Sequence, residues 1–205
     1  KYRNEKKISR VYVGDGAMSN GQVFEAFNLA SLWNLPVLFI IENNRYGMGT
    51  AVNRSAAGKD LYERATVFGI EGEKINGMDF FEVSQAAIRA RDHIYENSKP
   101  YVIEMDTYRY RGHSMSDPAS YRSKDEVNEM KSNDPLISMK NKLQKDFKIK
   151  EDEFTVIETN IKNQIKEVEK FSLDSPLPEL NELFTEVYLW IFYFQPFPPL
   201  WSKEI

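Results

Sequence analysis

Apolar residues gather in short runs over the first half of the chain. Val11-Tyr12-Val13 leads into Gly14, Pro36-Val37-Leu38-Phe39-Ile40-Ile41 is unbroken, and residues 100–108 carry Val102-Ile103-Glu104-Met105 at their centre. The unbroken run predicts a strand buried on both faces of a parallel sheet, Val11-Tyr12-Val13 a short buried strand, and residues 100–108 a further strand. Helical spacing fills the intervals. From Asn20 to Asn34, Val23, Phe24, Phe27, Ala30 and Trp33 are apolar, and Gln22, Glu25, Asn28 and Ser31 leave only a narrow polar stripe, so this helix is expected to be enclosed on most sides. A short helix over residues 60–68, a strand over 69–75 preceded by a turn, and a helix capped by Asp79 follow. In that last helix Phe80, Val83, Ala87, Ala90 and Ile94 are expected to face the core, and His93 to be a solvated surface residue. Strand–helix alternation predicts an α/β domain, its parallel sheet flanked by helices and its first two strands joined in a right-handed βαβ unit.

Beyond residue 123 the pattern is helical and strongly charged. Leu136, Ile137, Met139, Leu143 and Phe147 form one apolar face, and Phe154, Ile157, Ile161, Ile165 and Val168 form another. Both are expected to pack on the α/β core. The organisation read from the chain is an α/β part over 1–122, a C-terminal helical segment over 123–187, and an atypical tail over 188–205 that is crowded with aromatics and carries no assigned role.

Composition narrows the classes. A net charge of −4 spread along 205 residues gives no electrostatic footing for nucleic acid. Without cysteine there is neither a disulfide nor a thiol nucleophile. No apolar run approaches the roughly 18 residues of a membrane-spanning helix, and the basic start lacks the apolar stretch of a secretory signal. A soluble, intracellular protein is expected. The chain opens without methionine almost on top of its first strand, which reads as the C-terminal part of a longer subunit.

The chemistry concentrates at two strand ends. Gly14-Asp15-Gly16 follows the first strand and opens a helix. The two glycines allow positive φ and close backbone approach, and the helix start offers N–H groups and a positive dipole end, so Gly14, Gly16 and Ala17 form a candidate phosphate seat. Asp15 sets a hard anionic oxygen beside it, and Asn44, at the end of the second strand, can add an amide oxygen. That donor set suits Mg²⁺. A lone Gly-Asp-Gly is most often an ordinary turn; its pairing with Asn43-Asn44 across residues 17–42, between two strand ends, is far more specific. A third strand end delivers His113 to the same edge, and imidazole exchanges protons near neutral pH.

That spacing resembles the thiamin diphosphate motif. With Glu42-Asn43-Asn44-Arg45-Tyr46-Gly47-Met48-Gly49-Thr50 and Arg109-Tyr110-Arg111-Gly112-His113-Ser114-Met115-Ser116-Asp117-Pro118, the chain resembles, from Lys1 to Val187, the alpha subunits of the thiamin diphosphate-dependent 2-oxo acid dehydrogenases, the pyruvate-oxidising branch above all. Branched-chain 2-oxo acid and acetoin dehydrogenase alpha subunits are the rivals within that class; a non-catalytic scaffold domain that keeps the fold is the rival outside it.

The resemblance implies a thiamin diphosphate-binding fold whose first half precedes this chain, and oxidative decarboxylation of pyruvate with acetyl transfer to a lipoyl group. It implies a beta subunit in an α2β2 heterotetramer, the lipoyl domain of the dihydrolipoyl acyltransferase as partner, and a bacterial cytoplasmic or mitochondrial matrix location. A glutamate from the beta subunit completes the site, and this fragment alone is expected to be inactive because cofactor and substrate contacts from the N-terminal half are not supplied. The backbone carbonyl of Tyr46 would join Asp15 and Asn44 on Mg²⁺, its side chain mattering less than its turn, and His113 would be a cofactor ligand at the reacting centre. The segment 112–121 is expected to form a mobile loop. Ser114 and Ser120 match positions phosphorylated in mitochondrial members; Ala51 stands at a third. Met18-Ser19-Asn20 departs from the more common Ala-Asn-Gln, which leaves side-chain contacts from that turn open.

Overall fold

In a computed structural model, residues 6–58 and 60–184 are described. Four parallel strands, β1 (Ser9–Gly14), β2 (Val37–Asn43), β5 (Glu71–Asn76) and β6 (Tyr101–Asp106), stand in the order β1-β2-β6-β5. Between β2 and β5 lie β3 (Tyr46–Gly47), paired antiparallel with β4 (Thr50–Ala51), and the single turns α2 (Val52–Ser55) and α3 (Glu63–Thr66). Because the four main strands are parallel, all their carboxyl ends reach one edge, where open α/β sheets bind ligands.

The continuous apolar run of β2 serves two cores at once. Phe39 and Ile41 face a cluster with Phe27 and Ala30 of α1 (Gly21–Leu32), Met18, Leu61, Ala65 and Val102, whereas Leu38 and Ile40 face Ile75, Ile103, and Ala86, Ala90 and Ile94 of α4 (Phe80–Asn97). Strand period two makes this division: neighbouring residues point to opposite faces. Phe27 meets Phe39 edge-on at 4.8 Å, an arrangement worth about 0.5–1.5 kcal/mol beyond area burial. Both helices are capped as their sequences require: the Asn20 side chain accepts from the Gln22 N–H, and that of Asp79 accepts from Phe81 and Glu82.

Several expectations need correcting. β1 is not buried: among the described residues it pairs only with β2, and Val11 and Tyr12 are exposed. The enclosed helix is α1, but it buries only Phe27 and Ala30 and leaves Leu32 and Trp33 exposed. In α4 the buried stripe is Ala86, Ala90 and Ile94, so Ala87 and Phe80 turn outward. His93 is not solvated: its side chain is 14% exposed, 3.6 Å from Glu71, with its ring 5.0 Å from that of Tyr101.

Two helices complete the first unit of the chain, Lys1–Ile149: α5 (Lys124–Ser132), capped by Ser123, and α6 (Pro135–Phe147), capped by Asp134. Leu136, Ile137 and Phe147 of α6 remain exposed, contrary to the expected core face, while Met139 and Leu143 are partly covered. The second unit, Lys150–Ile205, contains α7 (Glu151–Asp174). Its stripe Ile157, Ile161, Ile165 and Val168 is also exposed. The aromatic tail 188–205 lies outside the described residues. No helix among them is long and apolar enough to cross a membrane.

Candidate active site at the carboxyl edge of the sheet

Strand register starts the site. Gly14 is opposite Glu42 and Asn43 is opposite Asp106, so the turns leaving β1, β2 and β6 are neighbours. Gly16 and Gly47 then bring two of those turns into backbone contact: a Cβ on Gly16 would stand 3.3 Å from the Gly47 Cα. Gly16 is right-handed helical (φ −64°, ψ −38°), so its glycine serves this approach and not the positive φ expected from sequence. Gly14 has open space around it. The turn that follows, Ala17–Ser19, is a 3-10 turn, with α1 beginning only at Gly21, and Gly14, Gly16 and Ala17 all lie exposed at the edge.

Asp15 is buried between these turns, 5% exposed, and its Oδ2 has no hydrogen-bond partner among the described residues. A Cβ on Gly47 would lie 3.8 Å from that oxygen. Burial raises the Asp15 pKa, partly offset by the peptide N–H groups of Asp15 and Asn44 and by the charge of Arg109. A buried carboxylate oxygen without a donor is a costly arrangement for a closed protein and a suitable one for a cation ligand. Asn44 lies beside it, half-buried. Its amide oxygen accepts from the Tyr46 N–H at 3.3 Å, which leaves that oxygen a second lone pair. Asp15, Asn44 and the Tyr46 turn therefore fit a hard cation, although no group of three or more acidic, His or Cys side chains gathers among the described residues.

The Tyr46 side chain has a larger part than expected. Its hydroxyl donates to Glu126 at 2.9 Å, as does that of Tyr108 at 2.7 Å. Burial, then the Glu126 bond, pushes the Tyr108 phenol up to about 12. Between them lies Arg122, its guanidinium 5.8, 5.2 and 5.7 Å from the ring centres of Tyr46, Tyr108 and Tyr121 and donating to the carbonyls of Arg109 and Arg111.

His113 is exposed on the segment leaving β6. Its peptide N–H donates to Asp117 Oδ2 at 2.7 Å, and the Tyr121 hydroxyl donates to the same oxygen at 2.8 Å. The peptide N–H of His113, followed by that of Ala119 and the Tyr121 hydroxyl, holds Asp117 below the usual carboxylate range. Arg109 reaches the Met48 carbonyl at 2.6 Å and the Tyr121 hydroxyl at 2.8 Å, and its Nη1 lies 3.4 Å from His113 Nδ1. Guanidinium only donates, so in this contact the ring accepts at Nδ1 and carries its proton on Nε2. Ser114 and Ser120 are exposed, the former 3.1 Å from Ser116. Ala51 lies in β4. Arg109 and Asp117 stand within the string from Arg109 to Pro118 and Arg122 just beyond it, and the recurrence of basic and tyrosyl residues there is the signal the sequence offers.

A parallel sheet whose carboxyl edge gathers glycine turns, a buried carboxylate with one unpartnered oxygen and an imidazole has the layout of the open α/β domains that bind ligands at that edge. The family model described as "Dehydrogenase E1 component" matches residues 1–181, and the chain belongs to that family. It is similar to proteins named pyruvate dehydrogenase E1 component subunit alpha. That of Rickettsia felis is 50% identical over 188 residues, covering 92% of this chain and 58% of the relative. That of Rhizobium meliloti is 45% identical over 190 residues, covering 92% and 55%. The mitochondrial one of Dictyostelium discoideum is 43% identical over 191 residues, covering 92% and 50%. The chain thus spans at most 58% of the length of these relatives.

Proposed function

We propose that this chain supplies the diphosphate- and metal-binding half of a thiamin diphosphate-dependent pyruvate dehydrogenase, with Asp15, Asn44 and the Tyr46 carbonyl as Mg²⁺ donors. The observation that carries the reading is the buried Asp15 Oδ2, which lacks a partner beside the Asn44 and Gly47 turns. When bound, thiamin diphosphate supplies the electron sink for decarboxylating a 2-oxo acid. The chain's own residues hold and orient. Gly14, Gly16 and Ala17 offer exposed backbone to phosphate oxygens. The peptide N–H of His113 is held by Asp117 and its Nδ1 faces Arg109, which leaves Nε2 as the ring nitrogen able to donate to a ligand oxygen.

A beta subunit completes the site in an α2β2 assembly, and a lipoyl domain of the acyltransferase component receives the acetyl group. Pyruvate is the substrate expected from the 50% identical relative's name. Bacterial cytoplasm is the expected location, or the matrix in a mitochondrial form.

Titrating Mg²⁺ and thiamin diphosphate into the wild-type and Asp15→Ala proteins tests the metal half; equal affinities would defeat it. Activity needs the complete alpha chain with its beta partner. Turnover of pyruvate, branched 2-oxo acids and acetoin compared in that assembly tests the substrate, and preference for either of the latter two would reassign it.

A further inference from the structure

Beneath the carboxyl edge, one buried side chain outside the proposed ligand set is of the wrong polarity for its layer. Glu104, at the centre of β6, is 0% exposed. It pairs in register with Ile41, one layer above the Val102–Phe39 pair of the apolar core. A carboxylate in such a place is strongly disfavoured unless both oxygens are bonded. Oε2 accepts from the Tyr62 N–H at 3.0 Å. Oε1 accepts from Asn43 Nδ2 at 2.7 Å and lies 3.7 Å from Lys74 Nζ. Lys74 is itself 2.7 Å from Asp60. Desolvation would lower its pKa, but Asp60 and Glu104 outweigh that and raise it, so the ammonium stays charged.

The Asn43 bond leads from this core to the site. With Nδ2 committed to Glu104, the opposite end of the amide is fixed as an oxygen, and that oxygen accepts from the Arg45 N–H at 3.1 Å. Arg45 has φ +72°, a left-handed conformation uncommon for any residue but glycine. The next bond, Asn44 Oδ1 to the Tyr46 N–H, repeats the same local turn one residue on. Rotating the Asn43 amide by half a turn would set an NH₂ against the Arg45 N–H, donor against donor; a neutral amide in place of Glu104 permits that rotation.

We propose that Glu104 is a positioning residue: through Asn43 it sets the turn from Asn43 to Tyr46 and so determines how tightly the edge binds its cation. The proposal rests on the reading of Asp15, Asn44 and Tyr46 as donors. Second-layer partners of metal ligands typically contribute 10–100-fold in affinity.

The test titrates Mn²⁺ with thiamin diphosphate into the full chain, following free Mn²⁺ by electron paramagnetic resonance. Wild type is compared with Asp15→Ala, Glu104→Gln, Asn43→Ala and the Glu104→Gln/Asn43→Ala double variant. Thermal unfolding without ligand is measured on each. Asp15→Ala should abolish binding, each of the other singles should weaken it about 10–100-fold, and the double variant should bind no more weakly than the weaker single. If wild type binds no better than Asp15→Ala, the metal reading itself fails and this proposal with it. If Asp15→Ala loses binding but folded Glu104→Gln keeps wild-type affinity, with only its unfolding temperature lowered, the positioning role is overturned. Should Glu104→Gln fail to fold, Asn43→Ala decides by the same criterion.

Discussion

Gly16 and Gly47 touch backbone to backbone: a Cβ on Gly47 would lie 3.2 Å from the Gly16 Cα, and one on Gly16 would lie 3.3 Å from the Gly47 Cα. Neither glycine needs its freedom of φ here. What both provide is room for Asp15 to lie against the turn that follows β2.

Gly47→Ala is therefore expected to push the two turns apart by a few tenths of an ångström. Overpacking of this kind costs about 1–3 kcal/mol, and cation affinity should fall with it. Gly14→Ala meets nothing within 4 Å and should change stability by less than about 0.5 kcal/mol. Urea unfolding of both variants, with the cation titration above, checks the contrast.

Asp15 gives the site a pH dependence whose sign is fixed by burial. Its folded pKa is raised, so the fold favours the protonated acid. The stability this contributes is complete below the unfolded carboxylate pKa and is lost as pH rises through the folded one. Asp15→Asn should remove that loss, leaving the ligand-free variant more stable than wild type at neutral pH. Proton and cation also compete for the same carboxylate, so Mg²⁺ affinity should fall about tenfold per pH unit below the raised pKa. Unfolding and binding measured across the acid range report the two effects separately.

Arg122 joins three tyrosine rings to two carbonyls. Arg122→Met keeps the aliphatic stem and removes both donors and the charge over the rings, an expected loss of about 2–3 kcal/mol. Arg122→Lys should recover less than half of it, because an ammonium cannot span two carbonyls as a planar fork does. Chemical denaturation gives both numbers.

For His113, a well-placed proton donor or acceptor is worth about 10² to 10⁴ in rate. His113→Asn should lower kcat of the assembled enzyme within that range. Arg109→Ala should lower it less, while exposing residues 112–121 to protease, since Arg109 ties this segment to Met48 and Tyr121. Steady-state kinetics with limited proteolysis would separate a chemical loss from a loosened segment.

The strands and their common edge were legible because β2 is unbroken in its apolar residues from Val37 to Ile41 and the turns after β1 and β2 carry unusual residues. Helix faces were less so. In α4, Ala86 and Ala87 are equally apolar, and only the direction of approach to the sheet decides that Ala86 is the buried one. The exposure of Val11 and Tyr12 follows from which strands flank β1, which no local pattern encodes. Asp15 stands out as a candidate from its glycine neighbours, and its burial with one unpartnered oxygen agrees with that reading. Glu104 does not: nothing in Val-Ile-Glu-Met marks the carboxylate as buried and bonded, and its place becomes intelligible only once Asn43, Tyr62 and Lys74 surround it. The weight borne by the Tyr46 side chain was hidden for the same reason, since Glu126 lies far along the chain.

The phenols of Tyr46, Tyr108 and Tyr121, packed around one guanidinium, give the molecule an internal optical gauge. Their asymmetric surroundings generate near-ultraviolet circular dichroism, and a phenol held near 12 ionises late in an alkaline absorbance titration. Detachment of the histidine-bearing segment would therefore register as a fading aromatic band and an earlier phenolate signal while the far-ultraviolet spectrum of the sheet and helices stays unchanged.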